Sequence, residues 1–382
     1  MKYNLTVLHN LLDDPVAGRF FAWRETGGKD EFCLFLRALY GQGAEDDFSA
    51  YLAGLILYDV NAFSVACAGG KEVSPYLRKA FLRDAETVRA ALAEADPEGM
   101  YCPGVRLESI RQGDAAERLR DFYAKNGYGD FCRYRSFKLR EGVLVPIRSP
   151  SEVRLSDLKD YVSEKKTISS NIECFLAGLP YSNMLLYGAR GTGKSSTVHA
   201  MLNRYFPDGL RLIELQKENM LEIGRLKESL RDNPLRFLLY IDDLTLDSSD
   251  ERISSLKALL EGGTEGYTHN TMIVVTSNYR HIVDEKFSQR DDSVHAGDVE
   301  QEELSLSDRF GISLLFATTN KQRYLSIVDQ LLEDMGVKMD PEETHMYAER
   351  WAICRGGRSP RMARQFADLV YSCVSRGVPI EF

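Results

Sequence analysis

The chain contains 382 residues, of which 44% are hydrophobic and 27% are charged, and its formal net charge is −9 at pH 7. This composition is typical of a soluble globular protein with two or three domains, and the acidic balance argues against a strongly basic DNA-binding protein, although a local basic groove is compatible with it. The seven cysteines form no C-x-x-C pair, which argues against a disulfide framework or a zinc site. The longest apolar run, residues 51–58, is too short to span a bilayer, so we predict a cytoplasmic protein without a membrane partner.

The first 148 residues are expected to form a mainly helical accessory domain. Pro75 suits the first turn of a helix, and apolar residues follow it at helical spacing, namely Leu77, Phe81, Ala85, Val88 and Leu92. Residues 114–126 predict another helix, with Gly127 as its C-terminal stop. This region contains no catalytic pattern.

One segment of this region, residues 131–140, has two interpretations. It interleaves aromatic side chains with four cations, Arg133, Arg135, Lys138 and Arg140. Such a mixture could stack on bases and contact phosphates. The same alternation is expected of a strand with one solvated face, and both interpretations stay open. The Ser-Pro-Ser sequence at 149–151 then predicts a linker to the next domain.

Upstream of the main motif, Leu158, Tyr161 and Val162 also have two interpretations. They could supply an apolar wall for an adenine base, with Tyr161 as a nucleotide contact. They could equally be part of a helix core.

The pattern G-x-x-x-x-G-K-S at residues 188–195 is the strongest functional signal in the chain. An apolar run precedes it and an amphipathic helix pattern follows, as a phosphate-binding loop requires. Glycines let backbone N–H groups surround an anion, and the helix N-terminus adds partial positive charge. We expect Lys194 to contact the β and γ phosphates of a nucleoside triphosphate and the Ser195 hydroxyl to bind Mg²⁺. The predicted nucleotide-binding residues of this loop are Gly188, Ala189, Arg190, Gly191, Thr192, Gly193, Lys194, Ser195 and Ser196.

Two aspartates follow the next strong strand signal. Residues 237–241 form a continuous apolar run, as a strand buried on both faces of a parallel sheet requires, and Asp242 and Asp243 end it. A carboxylate at this position, downstream of a phosphate-binding loop, is the Walker B arrangement. We expect Asp242 to hold Mg²⁺ through water and Asp243 to orient or deprotonate the attacking water.

A further apolar run, residues 272–275, leads to Asn278, which could hydrogen-bond the γ-phosphate or the attacking water. The polar stretch at 282–303 predicts a solvated loop. His281 and His295 occur in this part of the chain, and we do not expect them to bind a metal.

Five blocks in this order resemble an AAA+ ATPase: G-A-R-G-T-G-K-S, Y-I-D-D-L, V-T-S-N, L-S-L-S-D-R-F-G and G-R-S-P-R-M-A-R. More narrowly, residues 150 to about 375 resemble an uncharacterised bacterial family of predicted AAA+ ATP-binding proteins, a domain-of-unknown-function group. The resemblance implies an α/β fold with a three-layer α/β/α core over residues 149–318 and a C-terminal helical lid over residues 319–382. With the helical domain at 1–148, three parts are expected.

The resemblance also implies roles for individual residues. Asn278 matches the first sensor, and Arg361 matches the second sensor on the lid, with Arg358 and Arg364 as rivals for that role. Arg309 matches the arginine finger, which reaches the γ-phosphate bound by a neighbouring subunit. A homo-oligomer, as a ring or an open arc, follows from that role.

Asp243 departs from the glutamate that most AAA+ enzymes carry at this position. Because aspartate is shorter by one methylene, hydrolysis could be slow or dependent on assembly. The preferred hypothesis is therefore an ATPase that drives conformational change in an oligomer acting on a macromolecular client, protein or nucleic acid. A nucleotide-gated switch with little turnover is the alternative, and a P-loop small-molecule kinase is a weaker third.

Overall fold

The computed structural model describes residues 3–44, 47–70, 72–93, 115–247, 252–260, 269–279, 283–284 and 308–380. The chain divides into two compact units. The N-terminal unit comprises residues up to 134 together with 232–235, and the second unit comprises residues 135–231 and those from 236 onwards.

The described part of the N-terminal unit is helical, as predicted. Its α-helices are α1 (Ala17–Thr26), α2 (Lys29–Gly41), α3 (Phe48–Leu57), α4 (Ala62–Ala68), α5 (Pro75–Ala93) and α6 (Ala115–Asn126). An aromatic core joins the first three, because the ring centroids of Phe20, Phe35 and Phe48 lie 5.0–5.5 Å apart. The helix expected after Pro75 is confirmed as α5, and the helix expected before Gly127 is confirmed as α6.

The buried Asp84 of α5 fixes the start of the chain. Its Oδ2 accepts hydrogen bonds from the backbone N–H groups of residues 6, 7 and 8 at 2.6, 2.6 and 3.2 Å. None of the described helices is by itself long and apolar enough to cross a membrane. The α3–α4 pair, bent by 58°, passes that test only when its two helices are taken together.

The second unit is built on a seven-stranded sheet. The described strands of this unit, of which β6 and β8 lie outside the large sheet, are in chain order β1 (Ser136–Arg140), β2 (Val143–Pro146), β3 (Met184–Gly188), β4 (Leu210–Leu215), β5 (Arg236–Ile241), β6 (Leu246–Asp247), β7 (Thr271–Ser277), β8 (Val283–Asp284) and β9 (Ile312–Phe316). The sheet has the order β2-β1-β4-β5-β7-β3-β9, and β6 pairs with β8 in a separate two-stranded sheet. All neighbours in the large sheet are parallel except β1 and β2. Every residue of β7 is buried, as expected when helices cover both faces of a parallel sheet.

In the part of the chain that the structure describes, four helices lie between these strands, namely α7 (Val162–Leu176), α8 (Lys194–Tyr205), α9 (Ile223–Leu230) and α10 (Arg252–Leu260). Apolar side chains of α7 and α8, such as Ile172 and Met201, are buried in one cluster with Leu186, Leu238 and Val274 of the sheet. Together with the burial of both faces of β7, this packing gives the expected three-layer α/β/α architecture. The polar loop predicted at 282–303 and its two histidines lie outside the described residues, apart from β8.

The β1–β2 hairpin belongs to this sheet, and this differs from the sequence-based division. The two compact units separate at residue 134, whereas sequence analysis ended the first domain at 148. The physical reason is the parallel pairing of β1 with β4, more than 70 residues later, which no local pattern reveals. The strand interpretation of residues 136–140 is confirmed, since Phe137 and Leu139 are buried while Lys138 and Arg140 are exposed. Binding of nucleic acid by this segment stays a hypothesis.

Three helices form the lid, and they are α11 (Lys321–Asp334), α12 (Pro341–Cys354) and α13 (Pro360–Arg376). Each begins at a residue whose side chain accepts a backbone N–H of the first turn, namely Asn320, Asp340 and Ser359. Their apolar faces meet in a common core that contains Val328, Trp351, Phe366 and Val370. The helix predicted from the Ser-Pro-Arg sequence is confirmed as α13.

Gly188 provides a test of the packing between β3 and β9. Its φ is +133°, and a Cβ at this position would lie 2.2 Å from the backbone oxygen of Phe316. We expect Gly188→Ala to lower the free energy of unfolding by about 2–4 kcal/mol, because neither backbone can move away cheaply.

The matched control is Gly224→Ala in α9, where a Cβ would meet no atom within 4 Å. It should raise stability by about 0.5–1 kcal/mol through helix propensity. Urea unfolding measures both variants, and equal stability of the two would contradict the close approach of the strands.

Candidate nucleotide-binding site

The glycine-rich loop joins the end of β3 to the start of α8. Gly188, Gly191 and Gly193 have φ angles of +133°, +78° and +95°, which side chains with a Cβ rarely adopt. Lys194 is the first residue of α8. The backbone N–H groups of the first helical turn have no partner within a helix and can bind an anion.

A cavity of about 690 Å³ lies beside this loop, at the carboxyl edge of the sheet, and its size suits a small ligand. Most sequence-predicted residues line it, namely Tyr161, Arg190, Gly191, Thr192, Gly193, Lys194, Ser195, Ser196, Asp242, Asp243, Asn278 and Arg361. Gly188 and Ala189 lie beneath it and offer their carbonyl oxygens to Lys194. The structure thus brings together residues from β3, β5, β7 and the lid.

Lys194 is buried at the centre of the site. Its Nζ donates hydrogen bonds to the carbonyl oxygens of Gly188 at 2.7 Å and Ala189 at 3.0 Å, and to Asn278 Oδ1 at 3.4 Å. Burial lowers the pKa of Lys194, while the nearby Asp243 and Asp242 carboxylates act in the opposite direction. An ammonium group held against these carbonyls is positioned to bind phosphate oxygens.

One carboxylate oxygen of Asp242 accepts hydrogen bonds from three hydroxyl groups. Its Oδ1 accepts hydrogen bonds from Tyr240 at 2.5 Å, Thr276 at 2.6 Å and Ser195 at 2.7 Å. Burial alone would raise the pKa of Asp242, but the hydrogen bonds from Thr276, Tyr240 and Ser195 outweigh it and hold the pKa below its usual value. Asp242 is therefore an anion at neutral pH.

The pair of Ser195 and Asp242 fits a divalent cation of the Mg²⁺ type. Both residues offer oxygen donors, which Mg²⁺ prefers, and such sites are completed by phosphate oxygens and water. The described residues contain no group of three or more His, Cys, Asp or Glu side chains that could hold a metal by itself.

Asp243 adopts an unusual backbone conformation beside Asn278. Its φ is +50°, and its backbone N–H donates to Thr276 Oγ1 at 2.8 Å. Its Oδ1 accepts a hydrogen bond from the side-chain amide of Asn278, and its Oδ2 lies 3.9 Å from the Arg190 guanidinium. The two residues expected to handle the attacking water are therefore in contact.

Tyr161 belongs to the core and also lines the cavity, and its contact with an adenine base stays a prediction. Its ring packs against Phe316 with centroids 4.8 Å apart within the core cluster, and it also lines the cavity. Its hydroxyl donates to the carbonyl oxygen of Ala317 at 2.5 Å, and burial raises its pKa to about 12. Leu158 lines the same end of the cavity, but Val162 is 72% exposed and does not, so an adenine wall that includes Val162 is wrong.

One face of lid helix α11 completes this apolar end. Its Ile327 and Leu331 line the cavity, and two charged residues flank them on the same face. Arg323 pairs with Asp160 at 2.9 Å, and Asp334 pairs with Lys159. Two ion pairs thus join residues 159–160, just before α7, to the lid. They flank the apolar slot, which is the part of the cavity lined by Leu158, Tyr161, Ile327 and Leu331.

The lid arginines separate into two groups. The backbone N–H of Arg361 donates to the Gly191 carbonyl at 3.2 Å, and Arg361 and Arg364 both line the cavity. Arg358 instead forms two hydrogen bonds with Glu349, at 2.9 and 2.6 Å, and does not line it. Arg361 and Arg364 therefore remain the candidates for the second sensor.

Arg309 lies at the opposite edge of the sheet, just before the amino end of β9. The five residues of β9 span roughly 16 Å, which is farther than an arginine side chain reaches. Gly311 holds this segment close to β3, since a Cβ there would lie 2.5 Å from Ser182 Oγ. Arg309 is not among the residues that line the cavity of its own chain.

Sequence analysis missed Lys159, Asp160, Tyr240 and Thr276. The ion pairs to the lid join positions more than 160 residues apart, so no local pattern could reveal them. Tyr240 and Thr276 did carry a signal, because a hydroxyl within an otherwise apolar buried strand needs a hydrogen-bond partner.

The Asp160–Arg323 pair gives a test of the link between this segment and the lid. We expect Arg323→Glu to lower the melting temperature, because it places two carboxylates together, and Asp160→Lys in the same chain should recover part of the loss. A double-mutant cycle measured by thermal unfolding should give a coupling energy of about 1 kcal/mol. Lys338→Glu, at an exposed lid position without an ion pair among the described residues, is the control. If the effects of the substitutions at 160 and 323 on stability were strictly additive, the contact would be contradicted.

Comparison with known proteins places the chain in a family. The family model described as protein of unknown function (DUF815) matches residues 130–373. Among curated proteins, Replication factor C subunit 3 of Schizosaccharomyces pombe is 28% identical over 131 residues, which are 33% of this chain and 38% of that protein. The chain therefore covers little more than a third of the length of that relative.

Solved structures are similar to somewhat more than half of the chain at low identity. The Thermotoga maritima RuvB Holliday junction branch migration motor matches with a TM-score of 0.37 and 16% identity, over 58% of this chain and 66% of that chain. Aeropyrum pernix ORC1 in complex with DNA matches with a TM-score of 0.40 and 17% identity, over 60% and 66%. Because the family model covers well over half of the chain, the protein belongs to the DUF815 family of proteins of unknown function.

Proposed function

We propose that this protein is an AAA+ ATPase that binds ATP with Mg²⁺ and hydrolyses it to drive conformational change in an oligomer acting on a macromolecular client. The observation that carries the proposal is the meeting of Lys194, Ser195, Asp242, Asp243 and Asn278 at one edge of the sheet. The cytoplasmic location expected from the sequence is part of the proposal.

Different residues of the cavity bind the phosphates, the cation and the base. The backbone N–H groups of residues 190–195 and the Lys194 ammonium hold the phosphates. Ser195 and Asp242 hold the cation, which neutralises charge on the phosphates when bound. The base fits the apolar slot formed by Leu158, Tyr161 and Leu331.

Hydrolysis needs a group that accepts a proton from water beside the terminal phosphate. Asp243 is that group, and the Asn278 amide in contact with it holds the water in line. Arg361 or Arg364 brings positive charge from the lid, so that loss of the terminal phosphate changes the position of the lid relative to the core.

Arg309 acts on the site of the next subunit. Its place at the amino edge of the sheet supports this role, because that edge lies opposite the cavity of its own chain. A guanidinium cannot lose its charge and stabilises the transferring phosphoryl group. An oligomer in which the amino edge of one core faces the cavity of its neighbour is therefore part of the proposal.

The alternative is a nucleotide-gated switch with little turnover. The hydrogen bond between Asp243 and Asn278 favours it, because a carboxylate occupied by an amide is less available to water. The two functions share the cavity and differ only in the rate of the chemical step.

The test is steady-state ATP hydrolysis measured against protein concentration. Turnover per subunit should rise with concentration in the wild type and fall by at least about a hundredfold in Lys194→Ala, Asp243→Asn and Arg309→Ala. Tight ATP binding without turnover at any concentration would favour the switch instead.

A mixture of two inactive variants tests whether Arg309 acts across subunits. Lys194→Ala subunits still carry Arg309, and Arg309→Ala subunits still carry an intact cavity. An equimolar mixture should therefore recover about a quarter of the wild-type rate, the share of neighbouring pairs that combine both intact parts. No recovery in the mixture would rule out the assignment across subunits.

A further inference from the structure

The hydroxyl groups around Asp242 are arranged unevenly. Tyr240, Thr276 and Ser195 all donate to Oδ1, and no described residue donates a hydrogen bond to Oδ2. A carboxylate oxygen has about two lone-pair directions, so two of these donors are enough to occupy Oδ1. The carboxylate is therefore held by one oxygen, and the other is left for a different partner.

Of the three donors, the Ser195 hydroxyl is the one that can turn away from Asp242. Ser195 lies on the glycine-rich loop side of the cavity, whereas Tyr240 and Thr276 are buried residues of the two adjacent strands β5 and β7. When the Ser195 hydroxyl turns towards a cation, Tyr240 and Thr276 can keep Oδ1 in place without it.

Thr276 has a second contact that involves the other carboxylate. Its Oγ1 accepts the backbone N–H of Asp243 at 2.8 Å while its own hydrogen is donated to Asp242. Asp243 has a φ of +50°, a conformation that costs free energy unless neighbours hold it. One hydroxyl on β7 therefore orients both aspartates that follow β5.

We propose that Thr276 and Tyr240 are positioning residues that aim Oδ2 of Asp242 at a hydrated divalent cation, and that Thr276 also fixes the backbone from which the Asp243 carboxylate projects. The inference rests on the proposed ATP and Mg²⁺ site. Neither hydroxyl touches substrate in this role. Each acts through Asp242, in the way that outer-shell partners orient a metal ligand.

The test separates cation binding from nucleotide binding. Affinity for ATP is measured first in EDTA by calorimetry, and Mn²⁺ is then titrated into the protein–ATP complex and followed by electron paramagnetic resonance. The variants are Thr276→Val, Thr276→Ser and Tyr240→Phe, of which only Thr276→Ser keeps the hydroxyl.

Two lid residues supply matched controls. Thr344→Val and Tyr324→Phe each remove a buried hydroxyl that donates to a backbone carbonyl, at 2.8 and 3.1 Å, and neither residue lines the cavity. They show what the loss of a buried hydroxyl does to folding alone. Melting temperatures of all five variants are compared on that basis.

We expect Thr276→Val and Tyr240→Phe to weaken Mn²⁺ binding by roughly 10–100-fold, with ATP affinity in EDTA unchanged. Thr276→Ser and both control variants should bind Mn²⁺ as the wild type does. Wild-type affinity for Mn²⁺ in Thr276→Val and Tyr240→Phe would overturn the inference. If Thr276→Val does not fold, Tyr240→Phe alone tests the inference, because the phenylalanine ring fills the same space in the core as the tyrosine ring.

The same measurements show separately whether the proposed function itself is wrong. A wild-type protein that binds no ATP, or whose ATP complex binds no Mn²⁺, would overturn the proposed function and the inference with it. Normal binding in the wild type together with unaffected variants would overturn the inference alone.

Discussion

The site depends on one constraint, which is the parallel arrangement of neighbouring strands in a buried sheet. Parallel strands end at the same edge, so whatever follows β3, β5 and β7 must converge there. The glycine-rich loop follows β3, the two aspartates follow β5, and Asn278 follows β7. Burial on both faces makes this arrangement rigid, because a shift of one strand would break hydrogen bonds that water cannot replace.

The same arrangement explains why charged groups are stable at this edge. Lys194 is buried, which is costly for a single charge, and both Lys194 and the more exposed Asp242 are supplied with several hydrogen bonds. Donors and acceptors from three adjacent strands hold them before any ligand arrives. The cavity is therefore organised in advance, and binding energy is not needed to assemble it.

The lid is connected to the core differently. Its polar contacts among the described residues include two ion pairs, Asp160–Arg323 and Lys159–Asp334, and a hydrogen bond from the Arg361 backbone N–H to the Gly191 carbonyl. Contacts of this kind contribute little each and exchange readily with water. A lid joined to the core by such polar contacts is compatible with the nucleotide-dependent motion that we propose.

Local sequence determined much of this protein, namely the glycine-rich loop, the buried strand before Asp242, the capped helix α13 and the helices of the N-terminal unit. Each depends on residues within a few positions of one another, because glycine conformation, strand burial and helix capping are local properties. Tertiary structure alone decided that β1 and β2 join the sheet, that Thr276 holds both aspartates, that Tyr161 serves core and cavity together, and that Arg358 pairs with Glu349. Those contacts join residues brought together by sheet order and helix packing, and such partners cannot be identified from either local sequence.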